Sequence, residues 1–323
     1  MTRFSDRLGV LFGLLALFQL ASGCSDAYSA PGIGSSAQTT DALGILPTDA
    51  DVYGMTNLAA ARESDALSAA LGGNGLGMAS ASGSDDFQDF VRLTGFDPTT
   101  DLDRIFLAAT EGDNKRAAIV AYGRFDRDRI ERFIADQDEG EFEITEVEGY
   151  PVYLAEEEEG PRPAFAFVSD TMVLAGDEAT LTGMLQRLGT SGAAPGPELQ
   201  ALFDRVAFPD GAWFVARNLD IDELPDDAPQ EALATRAASA FVVSMAFQSD
   251  GVPVRAFLAT RPEANAEDVA AVVRGGISAA RIGLKDNPSA LDVLDDVEVE
   301  ADDAGVRVEG FMTRDFLAST ADR

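Results

Sequence analysis

Arg104 to Tyr122 reads RIFLAATEGDNKRAAIVAY. Two β-prone apolar runs, 104–110 and 116–122, flank Glu111-Gly112-Asp113-Asn114, a turn by composition. Strands joined so closely pair antiparallel, because a parallel pair needs a long crossover. The second run is almost wholly apolar, which places it in the interior of a sheet.

Working outward, Asp126 predicts a helix N-cap, with Phe125 and Ile130 spaced as a hydrophobic staple. Ile130, Phe133 and Ile134 then form the buried stripe. Short strands are expected around 142–147, 151–155, 163–169 and 171–175. Asp177 caps a further helix that turns Leu181, Met184, Leu185 and Leu188 inward. On the N-terminal side, 51–57 predicts a strand and 59–71 a helix closed by Gly72-Gly73. Residues 72–84 are a Gly/Ser-rich loop, and 85–93 a short amphipathic helix bearing Phe87, Phe90 and Val91.

Residues 189–197 (GTSGAAPGP) have the composition of a linker. Beyond them the order recurs. The strand WFVARNL (213–219) is comparable to VYGMTNL (52–58), and both end in Asn-Leu. A hairpin follows, with arms near 239–248 and 252–260, a turn at Ser249-Asp250-Gly251, and Phe241, Val243, Met245 and Phe247 on one face. A long helix (266–284) carries Val269, Val273, Ile277 and Ala280 at helical spacing. A last hairpin (296–300 and 305–311) precedes a C-terminal helical turn. The fold class expected is α+β, as two similar modules of antiparallel sheet backed by helices, consistent with an internal duplication. The expected divisions are 1–23, 24–45, 46–190 and 191–323.

The first two divisions rest on the N-terminus. Arg3 and Arg7 precede a continuous apolar-dominated run, Leu8 to Ala21, too short to span a bilayer and fitted to a signal-peptide core. Ala21-Ser22-Gly23 then leads into Cys24, the sole cysteine. This arrangement resembles the bacterial lipobox, with Ala21 where that motif usually has Leu and Leu20 one step earlier. The resemblance implies removal of residues 1–23, acylation of Cys24 and retention in the cell envelope, on the periplasmic side or at the outer membrane. An ordinary signal peptide cut after Ala27 and a buried apolar helix are the alternatives. Residues 25–40 are rich in Ser, Gly, Ala and Pro, the composition of a flexible tether.

Charge narrows the partners. The 323 residues hold 56 acids against 24 basic residues, a formal charge of −32. Only two of the basic residues are lysine, Lys115 and Lys285. Such a surface resembles those of proteins from salt-adapted organisms, where added salt screens self-repulsion. Nucleic acid is an unsuitable partner, because affinity for it comes from cationic side chains.

Few chemistries find their residues. With no His and one Cys, imidazole-based triads, imidazole metal sites and internal disulfides are excluded. Gly276-Ile277-Ser278-Ala279-Ala280 lies inside a predicted helix and cannot be a nucleophile elbow. Gly73-Asn74-Gly75-Leu76-Gly77 lacks the spacing of a phosphate cradle. Asn218-Leu219-Asp220-Ile221-Asp222 opens like a calcium loop, but Glu223 occupies the slot that requires Gly. Asp97, Asp101 and Asp103 suggest a cation site, yet are better explained as turn acids, and Glu156 to Glu159 as a solvated run. Trp213 is expected in the core. No cofactor, metal or catalytic residue is predicted, and Cys24 is the one site assigned.

Five stretches resemble a group of uncharacterised exported bacterial proteins with no assigned activity. They are Leu46-Pro47-Thr48-Asp49-Ala50, Thr94 to Pro98 with Asp101 to Arg104, Gly123-Arg124-Phe125-Asp126, Gly149 to Tyr153, and Leu174-Ala175-Gly176-Asp177. The functional expectation is a non-catalytic envelope lipoprotein that acts by binding or assembly, held to the membrane by its lipid. The alternatives are a carrier of an apolar ligand, marked by a cavity lined by hairpin Phe and Val, and a carboxylate-dependent hydrolase.

Overall fold

In a computed structural model of the chain, the residues described are 37–70, 85–110, 116–135, 142–156, 160–188, 195–217 and 237–321. They form two compact units. The first holds residues 37–59 and 85–195, the second 60–70 and 196–321. The division falls between Pro195 and Gly196, and 60–70 belongs to the second unit.

The first unit opens with α1 (Ala37–Ile45), which leads through Leu46-Pro47 into β1 (Val52–Asn57). Helix α2 (Leu58–Glu63) follows at once; its residues from Ala60 onward, and α3 (Asp65–Ala70), belong to the second unit. The single helix expected over 59–71 is thus two. They break at Ser64, whose hydroxyl donates to Gln248 O and accepts the Leu67 N–H. Then come α4 (Asp85–Thr94), α5 (Pro98–Asp101), β2 (Leu102–Thr110), β3 (Arg116–Gly123) and α6 (Arg127–Ala135). Four strands follow: β4 (Phe142–Val147), β5 (Tyr150–Ala155), β6 (Pro163–Ser169) and β7 (Met172–Asp177). Helix α7 (Glu178–Arg187) closes the unit.

The strand order here is β1-β2-β3-β7-β6-β5-β4, antiparallel throughout. Register explains the layers. Phe106, Val120, Leu174 and Ala166 lie opposite one another across four strands and are all at 0% exposure. Side chains alternate faces along a strand. The neighbouring row, Ile105, Ala121, Val173 and Phe167, therefore points to the other side. There it joins Phe125, Ile130 and Ile134 in an aromatic-rich cluster under α4 and α6. Tyr122 extends the first row toward α1 and donates its hydroxyl to Gln38 O. That face is covered by α1 and by α7, whose Leu181, Met184 and Leu185 are buried as predicted.

Helix α1 overturns part of the expected tether. Residues 37–45 are helical, with Thr39, Ala42 and Ile45 buried at three-residue spacing, and Arg187 Nε donates to Ile45 O. Small and polar residues gave this helix the composition of a linker, and burial against α7 overrides it.

The second unit contains α8 (Pro197–Phe203), β8 (Ala212–Arg217), β9 (Ala238–Met245), β10 (Gly251–Thr260) and α9 (Ala266–Gly283). It ends with α10 (Pro288–Asp295), β11 (Glu298–Asp302), β12 (Gly305–Thr313) and α11 (Arg314–Ala321). Its order is β8-β9-β10-β12-β11, again antiparallel. Helices α8 and α10 were not anticipated. Both are short and begin at a proline, Pro197 and Pro288, within stretches whose composition suggests loop. Val269 and Ala270 of α9 pack on Val306, with Val299 and Val308 beside them. Trp213 is wholly buried as expected and meets Phe203 edge to face at 5.8 Å. No helix among the described residues is long and apolar enough to cross a membrane.

Candidate functional site

Two of the stretches singled out in the sequence meet at one end of the first unit. Helix α4 stops at Thr94, which is fully buried; its hydroxyl donates to Phe90 O and accepts the Phe96 N–H. Gly95 follows with φ +71°, a left-handed conformation that closes the helix and strains other residues. Phe96 enters the core and stacks on Phe125 at 5.3 Å.

Asp97 then caps α5. Its carboxylate accepts the Thr99 N–H and the Thr99 hydroxyl, with Pro98 at the first helical position. Asp101 Oδ2 accepts the Asp97 N–H, and Asp101 Oδ1 meets Arg124 Nη2 at 3.2 Å. The same guanidinium donates to Thr100 O, and the Arg124 N–H to Asp101 O. Gly123 allows this approach, since a side chain there would overlap the Asp101 carbonyl. Across the β6–β7 turn, Gly123 N–H donates to Thr171 O and Phe125 N–H to Asp170 O. Asp126 Oδ1 accepts the Arg129 N–H at the start of α6, which is the predicted N-cap.

Between these segments lies an open cleft of about 450 Å³. Phe96 and Phe125 contribute its aromatic lining, and Asp101, Arg124, Asp126, Arg129, Asp170 and Thr171 the polar lining. Arg124 and Arg129 keep 63% and 53% of their side chains exposed, and Arg129 Nε stands 3.5 Å from Asp126 Oδ2. The Arg129 guanidinium lies against Gly95, where a Cβ would sit 2.7 Å from Nη1.

A second polar cluster fixes α6 from behind. The Tyr153 hydroxyl donates to Glu131 Oε1, which also receives Arg127 Nε at 2.6 Å. Burial raises the Tyr153 pKa, with the Glu131 carboxylate adding to it, to about 12. Burial alone would push Glu131 up too, but the Tyr153 hydroxyl and Arg127 outweigh it and hold its carboxyl below the ordinary value. Away from this end, Arg116 hydrogen-bonds Asp49 at 2.9 Å and lowers the carboxyl of that residue of the Leu46–Ala50 stretch.

The remaining predicted positions separate into three groups. Cys24, Gly73 to Gly77, Asn218 to Asp222 and Glu157 to Glu159 lie outside the described residues. Ser278 sits on α9 and donates to Arg274 O, as a helical serine does. Asp97 and Asp101 are turn acids, yet they are bound to backbone N–H groups rather than solvated. Among the described residues no group of three or more carboxylates is placed to hold a metal ion. Val242, Val243 and Phe257 of the β9–β10 hairpin are buried in the second unit, and the cleft is lined instead by Arg and Asp. Sequence reasoning missed Arg129, Asp170 and Thr171. The available signal was the i, i+3 spacing of Asp126 and Arg129, and the two-residue turn between strands at 169 and 172.

Among solved structures the chain is similar to TP0453. Crystal form III aligns with a TM-score of 0.50 at 12% identity, covering 87% of this chain and 98% of that one. Crystal form IV aligns with a TM-score of 0.47 at 14% identity, covering 91% and 98%. At such identity the likeness concerns the α+β fold alone. No protein-family model and no curated protein matches the chain.

Proposed function

We propose that this chain is an exported protein, lipid-anchored through Cys24 to the cell envelope, whose body acts by binding or assembly rather than catalysis. One observation carries the non-catalytic part. Of the four carboxylates described at the cleft end, three are engaged. Asp97 and Asp126 accept backbone N–H groups at the starts of α5 and α6, and Asp101 accepts the Asp97 N–H and meets Arg124. This leaves Asp170 with no second open carboxylate to work with as an acid–base pair. A general acid or base must be open to a substrate proton. These groups instead fix the ends of α5 and α6 and so shape a recess.

The anchoring part comes from Leu8 to Ala21 and Cys24. A single acyl chain gives only marginal membrane binding, and the two or more chains implied by a lipobox make it stable. Fractionation of the native host tests it. The wild-type chain should partition with membranes and carry a lipid-modified Cys24 by mass spectrometry, and Cys24→Ala or globomycin should block that processing. An intact Met1, or an unmodified Cys24 on released protein, would overturn the anchor. The acidic surface is read as salt adaptation: the melting temperature should rise as NaCl is added, and a flat or falling curve refutes that reading.

A further inference from the structure

We propose that the cleft of the first unit binds a small ligand carrying both a carboxylate and an ammonium group, such as an amino acid or a short peptide with unblocked ends. The inference rests on the binding role above and adds the ligand's chemistry.

The two units together separate scaffold from site. In the second unit Arg261, just after β10, donates its N–H to Ala237 O and its Nε to Ala238 O, while Thr260 N–H donates to Ala304 O in the β11–β12 turn. Arg124, just after β3, does the same with Asp101 O and Thr100 O, and Gly123 N–H donates to Thr171 O. Arg124 is therefore accounted for as a corner clasp that both units use.

Arg129 has no such explanation. It lies on α6, which begins three residues after Arg124, whereas α9 begins five residues after Arg261. Its guanidinium offers five N–H donors. Its ion pair runs through Nε to Asp126 at 3.5 Å, longer than a good charge-assisted hydrogen bond. The Asp170 carboxylate is exposed and has no side-chain partner among the described residues. Asp101, in contrast, already serves Arg124, and Asp126 Oδ1 accepts the Arg129 backbone N–H as the cap of α6.

The lining thus presents one underused cation and one underused anion. A simple anion would meet Arg129 but also Asp170 and the field of a chain with formal charge −32. A simple cation would meet Asp170 but also two half-exposed guanidinium groups. A ligand bearing both charges satisfies both. Phe96 and Phe125 stack on one another and are 9% exposed, so they offer no open aromatic face to a large apolar body. The volume of about 450 Å³ lies within the range of small-ligand sites.

Isothermal titration of the full chain with triglycine, N-acetyl-triglycine amide, succinate and putrescine tests this. Triglycine should bind saturably and the blocked peptide should not. Arg129→Gln and Asp170→Asn should each weaken triglycine binding by about tenfold or more, the loss expected for one charged hydrogen bond. Thermal melts of both variants should match the wild type. The proposal is overturned if triglycine does not bind, if succinate or putrescine binds as tightly, or if both variants bind as the wild type does. Membrane fractionation is read independently, so a failure here leaves the anchor standing and a failure of the anchor leaves this site standing.

Discussion

The two units share a strand order and differ in what fills it. In each, a helix leads to a first strand, a hairpin, a helical segment, and a second hairpin whose last strand lies beside the first hairpin. The approach to the first strand also echoes: Asp49 stands three residues before Val52, as Asp210 stands three before Trp213. The first unit then adds β4–β5 beyond β6, and a Phe-rich cluster beneath α4 and α6. Among the described residues the second has neither, and lays α9 over small and β-branched residues of β11 and β12. The difference teaches that the sheet is a common frame. The cleft belongs to what the first unit adds to it, the loop around Gly95 and the short α6.

The heaviest test of this comparison lies in the core of the second unit. Trp213→Ala should cost about 3–5 kcal/mol, as large aromatic truncations do. Chemical denaturation followed by circular dichroism, with hydrogen exchange in β8 and β9, checks it. A loss under about 1 kcal/mol would show that Trp213 is not the anchor its burial implies.

Next in size is a feature of the first unit alone. Tyr153→Phe removes a buried hydroxyl from the Glu131 carboxylate and should cost about 1.5–3 kcal/mol, the range for hydrogen bonds to charged groups. Because Glu131 is depressed when folded, its contribution is complete well above its ordinary value of 4.5. It fades as pH falls through that value and is gone below the folded one. Tyr153, raised to about 12, contributes below pH 10, and that contribution is lost as pH climbs from 10 toward 12. Stability against pH should therefore show both limbs in the wild type. In Tyr153→Phe the acid limb should be shallower and the alkaline limb reduced.

The last two tests are paired across the units. Asp177 accepts the Thr180 N–H at the start of α7, and Thr313 Oγ1 accepts the Phe316 N–H at the start of α11. Alanine at either should cost about 1 kcal/mol, the usual value of an N-cap. Arg124→Ala and Arg261→Ala should each cost about 1 kcal/mol or less, since both lose hydrogen bonds to backbone carbonyls. Matched melts of each pair are the measurement. A large effect in one unit and none in the other would break the parallel.

Much of this frame was legible in the residues. The apolar runs around 111–115, the Phe125/Ile130 staple and the Asp126 and Asp177 caps act within one turn or one hairpin, so their chemistry shows in local spacing. Helices α1, α8 and α10 were hidden because their stability comes from partners distant in sequence, such as Arg187 reaching Ile45 O. The cleft was half visible. Gly95, Asp101 and Arg124 lie in stretches marked by their resemblance to exported proteins, but Asp170 joins them only because β7 pairs with β3. No local pattern records a pairing some fifty residues long.

The last strand of each unit passes straight into a helix: Asp177 is followed by Glu178 of α7, and Thr313 by Arg314 of α11. With no connector to absorb a change, one inserted residue at the first junction would turn α7 by about 100°. Leu181, Met184 and Leu185 would swing away from the layer they fill. These junctions should thus be closed to insertions and deletions over any span of evolution, and a sequence that gained or lost a residue there would have to abandon the helix or the strand.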